Sequence, residues 1–459
     1  MQTVRDAPAY PVPDYGLRVL HALEDAGFEA WVVGGWVRDA LLGAPMHDVD
    51  VTTSAPWQET ERVLRTAGIE VHETGTAHGT VTAVIDGQPV EVTTYRVEGT
   101  YSDRRHPDEV RFVRDVREDL ARRDFTVNAM AYHPDRGLLD LFGGREDLAR
   151  GVVRAVGDPY RRFEEDALRV LRAVRFACRL GFEVEPRTQA ALAACVPELD
   201  GIARERVGQE MDGIVASGRV SWALNNEFDV LARAVPALIP MRGLDQRSPY
   251  HAYNLLEHTA RVCAGVEAFS GGVPTQALRW AALLHDIGKP STHTVDENGT
   301  DHFYDHQIAG VPLAEAVLRR LKFDNNTIKD VCKLVRWHDF GMGCVPKKNT
   351  IRKLLGEVGK DFFPYIIEIK KADMAAQSDY KLEERQSQLA ELEKKYEEIV
   401  ADADCVRIKD LKVNGGDLIK LGIKPGPQMG EILQKLLDMV IEDPEKNGRE
   451  YLLDQVKQM

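Results

Sequence analysis

A chain of 459 residues is longer than one hydrophobic core supports, so three or more domains are expected. A net charge of −14 argues against a general polyanion binder and leaves any nucleic-acid contact to local basic patches. The six cysteines show no CxxC spacing, no apolar run is long enough to span a bilayer, and the N-terminus lacks a signal-peptide pattern; a soluble, cytoplasmic protein with reduced thiols and no membrane partner is expected.

Residues 30–35 (Ala-Trp-Val-Val-Gly-Gly) read as a buried strand and 37–42 as the start of a helix. Residues 48–53 read as a second strand, 56–68 as a helix stopped by Gly68, and 79–86 with 89–96 as a hairpin around Asp86-Gly87. Residues 98–115 are polar, charged and aperiodic, and read as a mobile loop. These elements make an α/β head over residues 1–150. After Gly157-Asp158-Pro159 the pattern turns helical, with helices expected at 161–180, 187–195, 204–216 and 221–235 and a break at Pro236 and Pro240. This gives a helical neck over 151–240, a second helical block over 245–375, and a last region over 376–459 that opens with one exposed, charged helix at 376–401.

Asp48 and Asp50 stand two apart on the second strand, so both carboxylates point to one side. Convergent carboxylates with few local cations suit a divalent metal. Gly34-Gly35, at a strand-to-helix turn just upstream, lets backbone N–H groups approach phosphate oxygens. A third carboxylate is needed for two-metal chemistry, and Glu91 supplies it from a neighbouring strand on which Val90 and Val92 face the other way. No lysine precedes Lys289, so cationic contacts in the first half must come from arginine and its planar donor fork.

Asp166 and Arg169 fall three apart on the expected 161–180 helix and share a face. Ionised aspartate only accepts and arginine only donates. Cytosine and adenine each present an amino donor beside a ring-nitrogen acceptor, which matches this pair; uracil and guanine reverse the order. Ordinary helix-surface salt bridges are the alternative. Arg172, Arg175 and Arg179 continue the stripe, with Arg172 read as a phosphate or helix-packing contact.

The run GGWVRDALLG…HDVDVTT, with VEVTTYR, RRDFTVNAM and FEEDALRVLRAVRFA, resembles the class II tRNA nucleotidyltransferases, the bacterial CCA-adding enzymes and their poly(A) polymerase relatives. The resemblance implies a polymerase-β-like α/β nucleotidyltransferase head followed by mostly α-helical neck, body and tail domains. It implies template-independent addition of CCA to a tRNA 3′ end from CTP and ATP by two-metal phosphoryl transfer with Mg2+. Asp48 and Asp50 become metal ligands, with Glu91 beside them. Gly34, Gly35 and Arg38 become part of a triphosphate cradle, and Arg123, Asp124 and Asn128 fall in the ribose-reading motif. The segment Tyr101-Ser102-Asp103-Arg104-Arg105-His106-Pro107 corresponds to one that CC-only relatives lack, which favours full CCA addition or A addition.

His285-Asp286, with His258 before and Asp373 after, resembles the HD phosphohydrolase superfamily and implies a second divalent-metal site. His306 and His338 could hold a second metal there or a substrate phosphate. The implied substrates are 2′,3′-cyclic or 2′-phosphate RNA ends. Lys409, Lys412, Lys420 and Lys424 in the tail read mostly as solvated surface. Other readings remain open at this level: an A-adding enzyme or poly(A) polymerase, an HD phosphohydrolase with a vestigial RNA-binding head, an alarmone-type synthetase/hydrolase (disfavoured by domain order), and a non-catalytic tRNA binder (disfavoured by the clustered carboxylates).

Overall fold

The computed structural model describes residues 10–46, 48–98 and 110–459, and these fall into two compact units that meet in sequence at Pro236/Ala237. The first unit holds a mixed sheet. Its strands in chain order are β1 (Ala30–Val33), β2 (Val49–Thr53), β3 (Glu70–Gly75), β4 (Thr80–Ile85) and β5 (Gln88–Thr94). A short two-stranded ribbon, β6 (Arg96–Glu98) and β7 (Val110–Phe112), precedes β8 (Met130–His133) and β9 (Gly137–Asp140). The sheet order is β3-β4-β5-β2-β1-β8-β9.

Strict alternation explains why these segments are strands. Val90 and Val92 on β5, and Val49 and Val51 on β2, are buried, while Glu91 is exposed and Asp50 half-buried on the opposite face. Each fully buried valine contributes about 1.5 kcal/mol or more to holding that face inward. A one-residue slip would invert every side chain, so the valines fix where the carboxylates point. The β4–β5 hairpin turns through Asp86 (φ 54°) and Gly87 (φ 77°), the two left-handed residues that a tight hairpin with right-handed twist requires.

Helices α1 (Asp14–Asp25), α2 (Gly35–Leu42), α3 (Trp57–Thr66), α4 (Val116–Ala121) and α5 (Gly144–Arg150) accompany the sheet. The helical part of this unit follows as α6 (Pro159–Glu165), α7 (Leu168–Leu180), α8 (Pro186–Cys195), α9 (Arg204–Ala216), α10 (Val220–Asn226) and α11 (Phe228–Ala234). Two expected helices are therefore broken. The 161–180 helix parts at Asp166, whose backbone is extended (φ −142°, ψ 102°) and whose side chain accepts from Leu168 N at 3.0 Å. Side-chain capping offered the backbone an alternative that apolar periodicity does not reveal. The 221–235 helix parts at Glu227 (φ −126°), whose side chain accepts from Gln189 Nε2 at 3.0 Å.

The second unit carries α12 (Leu255–Phe269), α13 (Gln276–Leu284), α14 (Lys289–Thr292), α15 (His306–Arg320), α16 (Asn325–Trp337), α17 (Lys348–Val358) and α18 (Phe363–Ala375). The charged helix, α19 (Leu382–Ala401), starts six residues later than expected. It is not wholly exposed: Leu389, Leu392 and Ile399 are buried on one face. The tail carries α20 (Gly415–Lys420), α21 (Pro427–Glu442) and α22 (Arg449–Gln458) around a core that includes Leu418, Leu436, Val440 and Leu452. No helix among the described residues is long and apolar enough to cross a membrane. The described parts of 98–115 are not all loop, since 110–112 pair with 96–98. The segment Tyr101–Pro107 lies outside the described residues.

Candidate active site and metal centre

Asp50 and Glu91 are register partners on the parallel pair β2 and β5, so their side chains rise side by side from one face of the sheet. Asp48 is exposed and lies one residue before β2 rather than on it. Burial, then the charges of Glu91 and Asp48, push the Asp50 carboxyl up to about 6, against a smaller lowering by Arg123. Crowded anions with a raised pKa are what an arriving cation relieves.

The two carboxylates line a cavity of about 710 Å³. Eight arginines also line it, and no lysine does. A surplus of guanidinium over carboxylate suits a polyphosphate. Gly34 and Gly35 sit at its rim, where β1 passes into α2. Gly34 has φ 73°, and a methyl group there would lie 3.5 Å from both Asp50 Oδ2 and Arg123 Nη1. Arg38 lines the same cavity, buried, with its guanidinium donating to Asp39 Oδ1 and Asn128 Oδ1, both at 2.8 Å.

Asp124 is buried and accepts from Arg172 Nε (2.8 Å), Asn128 Nδ2 (3.2 Å) and Phe125 N (2.8 Å). Burial alone would raise its pKa; the Arg172 charge and hydrogen bond outweigh that and hold it down to about 2. Arg172, expected to meet phosphate or pack a helix, clamps this carboxylate and also lines the cavity. Asp166 and Arg169 both face the cavity, although Asp166 sits in the break between α6 and α7 and the shared-helix argument that linked them does not hold. Arg169 Nη1 donates to Glu165 Oε2 (2.9 Å) and its Nη2 to the Arg122 carbonyl (3.2 Å).

Sequence reasoning missed Asp119. It is fully buried, accepts from Arg122 Nε at 3.0 Å and lies 3.3 Å from Arg123 Nη2, so it aims two cavity arginines from behind. The arginine charges and hydrogen bonds keep it below the ordinary carboxylate range even though burial pushes the other way. The spacing of Asp119 to Arg122 and Arg123, three and four along a helix, was the available signal.

The second unit gathers a different cluster. His258 lies on α12, His285 and Asp286 at the end of α13, His306 and His338 at the ends of α15 and α16, and Asp373 on α18; all six are buried. Ligand atoms of His258, His285 and Asp373 lie within 4.8 Å of one another, as do those of Asp286, His306 and His338. Each imidazole Nδ1 faces a backbone carbonyl: Ala376 O at 3.2 Å, Ala282 O at 2.9 Å, Phe303 O at 2.8 Å and Val335 O at 2.8 Å. A carbonyl only accepts, so each Nδ1 carries hydrogen and each Nε2 lone pair points inward. Nε2 atoms then face one another at 3.3 Å (His258 and His285) and 3.2 Å (His306 and His338). Asp286 stands between the pairs, Oδ2 at 3.1 Å from His285 Nε2 and Oδ1 at 3.2 Å from His306 Nε2. Facing lone pairs repel unless a proton or a metal ion lies between them. With protons alone, the hydrogen bonds of Asp286 and Asp373 outweigh burial and lift His258 to about 9. The donor set is one that a divalent metal could occupy, and His306 and His338 stand in it beside Asp286.

Family models match along the chain: the poly A polymerase head domain over residues 30–154, the "Probable RNA and SrmB- binding site of polymerase A" over 181–230, and tRNA nucleotidyltransferase domain 2 over 310–456. The CCA-adding enzyme of Leuconostoc mesenteroides is 33% identical over 453 residues, covering 95% of this chain and 96% of the relative. That of Limosilactobacillus fermentum is 34% identical, covering 95% and 94%. The Bacillus stearothermophilus CCA-adding enzyme, solved in complex with CTP, superimposes with a TM-score of 0.68 at 28% identity and covers 98% of each chain. Likeness along nearly the full length, together with paired carboxylates under an arginine-lined cavity, makes this chain a member of the CCA-adding enzyme family of tRNA nucleotidyltransferases.

Proposed function

We propose that this chain adds C, C and A in turn to the 3′ end of tRNA, taking CTP and ATP and using no nucleic-acid template. The observation that carries the reading is the register pairing of Asp50 and Glu91 on the floor of a cavity that Asp166 and Arg169 also line. An all-carboxylate donor set fits a hard cation, and Asp48, Asp50 and Glu91 would hold Mg2+. When bound, Mg2+ activates the attacking hydroxyl and offsets charge on the triphosphate and departing pyrophosphate. Arg38, Arg123 and the amides of Gly34 and Gly35 grip the triphosphate. Asp124, locked by Arg172 and Asn128, accepts from the ribose 2′-OH. Asp166 accepts from the base amino group and Arg169 donates to the ring nitrogen, which selects cytosine and adenine. A wrong base leaves buried polar groups unpaired at about 1–3 kcal/mol each.

We read residues 1–150 as head, 151–240 as neck, 245–375 as an HD-like body and 376–459 as a tail that meets tRNA by shape and backbone. The Tyr101–Pro107 segment favours completion with A. The work is placed in the cytoplasm, consistent with six free thiols. The test is a tRNA transcript ending at the discriminator base, incubated with CTP, with ATP, and with both. Two C residues from CTP alone and CCA from the mixture are expected. Addition of A alone, with no C under any condition, would contradict the reading in favour of an A-adding enzyme.

A second reading concerns the second unit. Asp286 offers one oxygen toward each histidine pair, and divalent ions would be held by His258, His285 and Asp373 and by Asp286, His306 and His338. Imidazole-rich coordination suits Zn2+, Fe2+ or Ni2+ better than Mg2+. Such a centre fits phosphate-ester hydrolysis of 2′,3′-cyclic or 2′-phosphate ends. Metal analysis of the purified chain should return about two equivalents per chain, and a 2′,3′-cyclic nucleotide should be opened. A metal-free protein that remains inert after reloading with each of these ions would refute it.

A further inference from the structure

Helix α9 packs against α7 and carries Arg206 and Glu210 four residues apart, hence on one face. Arg206 Nη2 donates to Asp166 Oδ2 at 2.9 Å, while Asp166 Oδ1 accepts from Leu168 N at 3.0 Å. Asp166 sits on an extended link between two helices, where no helical neighbour dictates its rotamer. These two bonds do so instead, one per oxygen. Arg206 Nη1 is buried and has no hydrogen-bond partner among the described residues. An unpaired buried donor costs about 1–3 kcal/mol, so stability alone does not call for arginine at this position.

Glu210 is buried one turn further along. Its Oε2 lies 2.8 Å from Arg175 Nε, close but poorly aligned for a hydrogen bond, and its Oε1 lies 3.8 Å from Arg172 Nη1. The other edge of Arg172 grips Asp124, so Glu210 and Asp124 hold that guanidinium from two sides. Gly213 completes the fit: a Cβ there would come within 2.5 Å of Arg175 Cδ, so only glycine lets the arginine stem lie along α9.

We propose that Arg206 and Glu210 are positioning residues that set nucleotide selectivity from α9, Arg206 by holding Asp166 for the base and Glu210, through Arg172, by holding Asp124 for the ribose. The inference rests on the roles given above to Asp166 and Asp124. It separates two kinds of fidelity that share one helix. Loosening Arg206 blurs C and A against U and G and leaves the sugar preference alone. Loosening Glu210 blurs ribose against deoxyribose and leaves the base preference alone.

The test is single-nucleotide incorporation on tRNA lacking CCA, measuring kcat/KM for CTP, UTP and dCTP with wild type, Arg206→Ala, Arg206→Lys and Glu210→Gln. Arg206→Ala should lower the CTP-over-UTP ratio about tenfold or more while the CTP-over-dCTP ratio moves by less than about twofold. Glu210→Gln should show the opposite pattern, and Arg206→Lys should regain part of the base preference. An equal loss on all three nucleotides would mean that α9 only supports the fold and would overturn the proposal. So would a wild type that takes CTP and dCTP alike, which removes the Glu210 half. Should Arg206→Ala fail to fold in a thermal melt, Arg206→Lys and Arg206→Gln decide by the same ratio. A wild type that adds no C at all refutes the transferase reading itself; a selective wild type matched by an equally selective Arg206→Ala refutes only this inference.

Discussion

The two acidic centres of this chain solve the problem of crowded charge in opposite ways. In the first unit Asp50 and Glu91 face an open cavity, where burial and the neighbouring carboxylates outweigh Arg123 and push Asp50 up toward 6. In the second unit Asp286 and Asp373 are buried among four imidazoles and Lys289, whose Nζ lies 2.7 Å from Asp286 Oδ2, and both carboxyls are held well below their ordinary range despite burial. The open site stays underpaired, as suits a cation that arrives with its nucleotide and leaves with pyrophosphate. The buried site has its ligand tautomers fixed by backbone carbonyls before any ion arrives, as suits a resident metal.

That contrast can be broken most severely at its first member. Asp50→Ala or Glu91→Ala should cut nucleotide incorporation by roughly 10³-fold or more while leaving the metal content of the second unit unchanged. Losing both together in one variant would show that the centres are not separate. At the second member, Asp286→Ala should destabilise the chain by about 3–5 kcal/mol in a denaturant titration, because Lys289 and the imidazoles lose a buried counter-charge. The milder His306→Ala should lower metal content by up to one equivalent and leave CTP incorporation within about twofold.

The first unit also predicts a pH dependence. Asp124 has its folded pKa depressed to about 2, so its contribution is present above the unfolded value near 3.9 and is lost as pH falls through 2. The wild type should lose about 2 kcal/mol of stability from this carboxyl between pH 4 and pH 2. Asp124→Asn should show a correspondingly flatter acid limb, and an unchanged limb would count against the Arg172 clamp. The smallest effect is expected at Gly34. Gly34→Ala forces alanine into a positive-φ backbone (φ 73°, ψ −133°) that glycine alone enters readily, costing about 1 kcal/mol or more, and sets a methyl group beside Asp50 and Arg123. The KM for CTP should rise by a few-fold with kcat little changed; a variant indistinguishable from wild type would remove Gly34 from the cradle.

Much of this was legible in the sequence because alternation leaves a direct imprint. Val90-Glu91-Val92 and Val49-Asp50-Val51 announce their strands and which way the acids face, and Asp86-Gly87 announces its turn. What stayed hidden depended on side chains reaching the backbone. Asp166 breaks a helix by capping Leu168, and Glu227 ends another with its carboxylate held by Gln189, at positions whose neighbours keep helical periodicity. Arg206 and Glu210 were hidden for another reason. They meet their partners only after distant segments pack, and a salt bridge between residues 40 apart, as between Arg206 and Asp166, has no local signature. The histidine cluster lay between these cases: His258, His285, Asp286 and Asp373 were recognisable as an ordered set, but the place of Asp286 between the two histidine pairs needed the fold.

Crystals of the chain grown with CTP and Mn2+, measured at the manganese absorption edge, test the central claim most directly. The account predicts anomalous density between Asp50, Glu91 and the triphosphate, with the cytosine edge against Asp166 and Arg169. Manganese away from both carboxylates, or a cytosine turned from that pair, would contradict it.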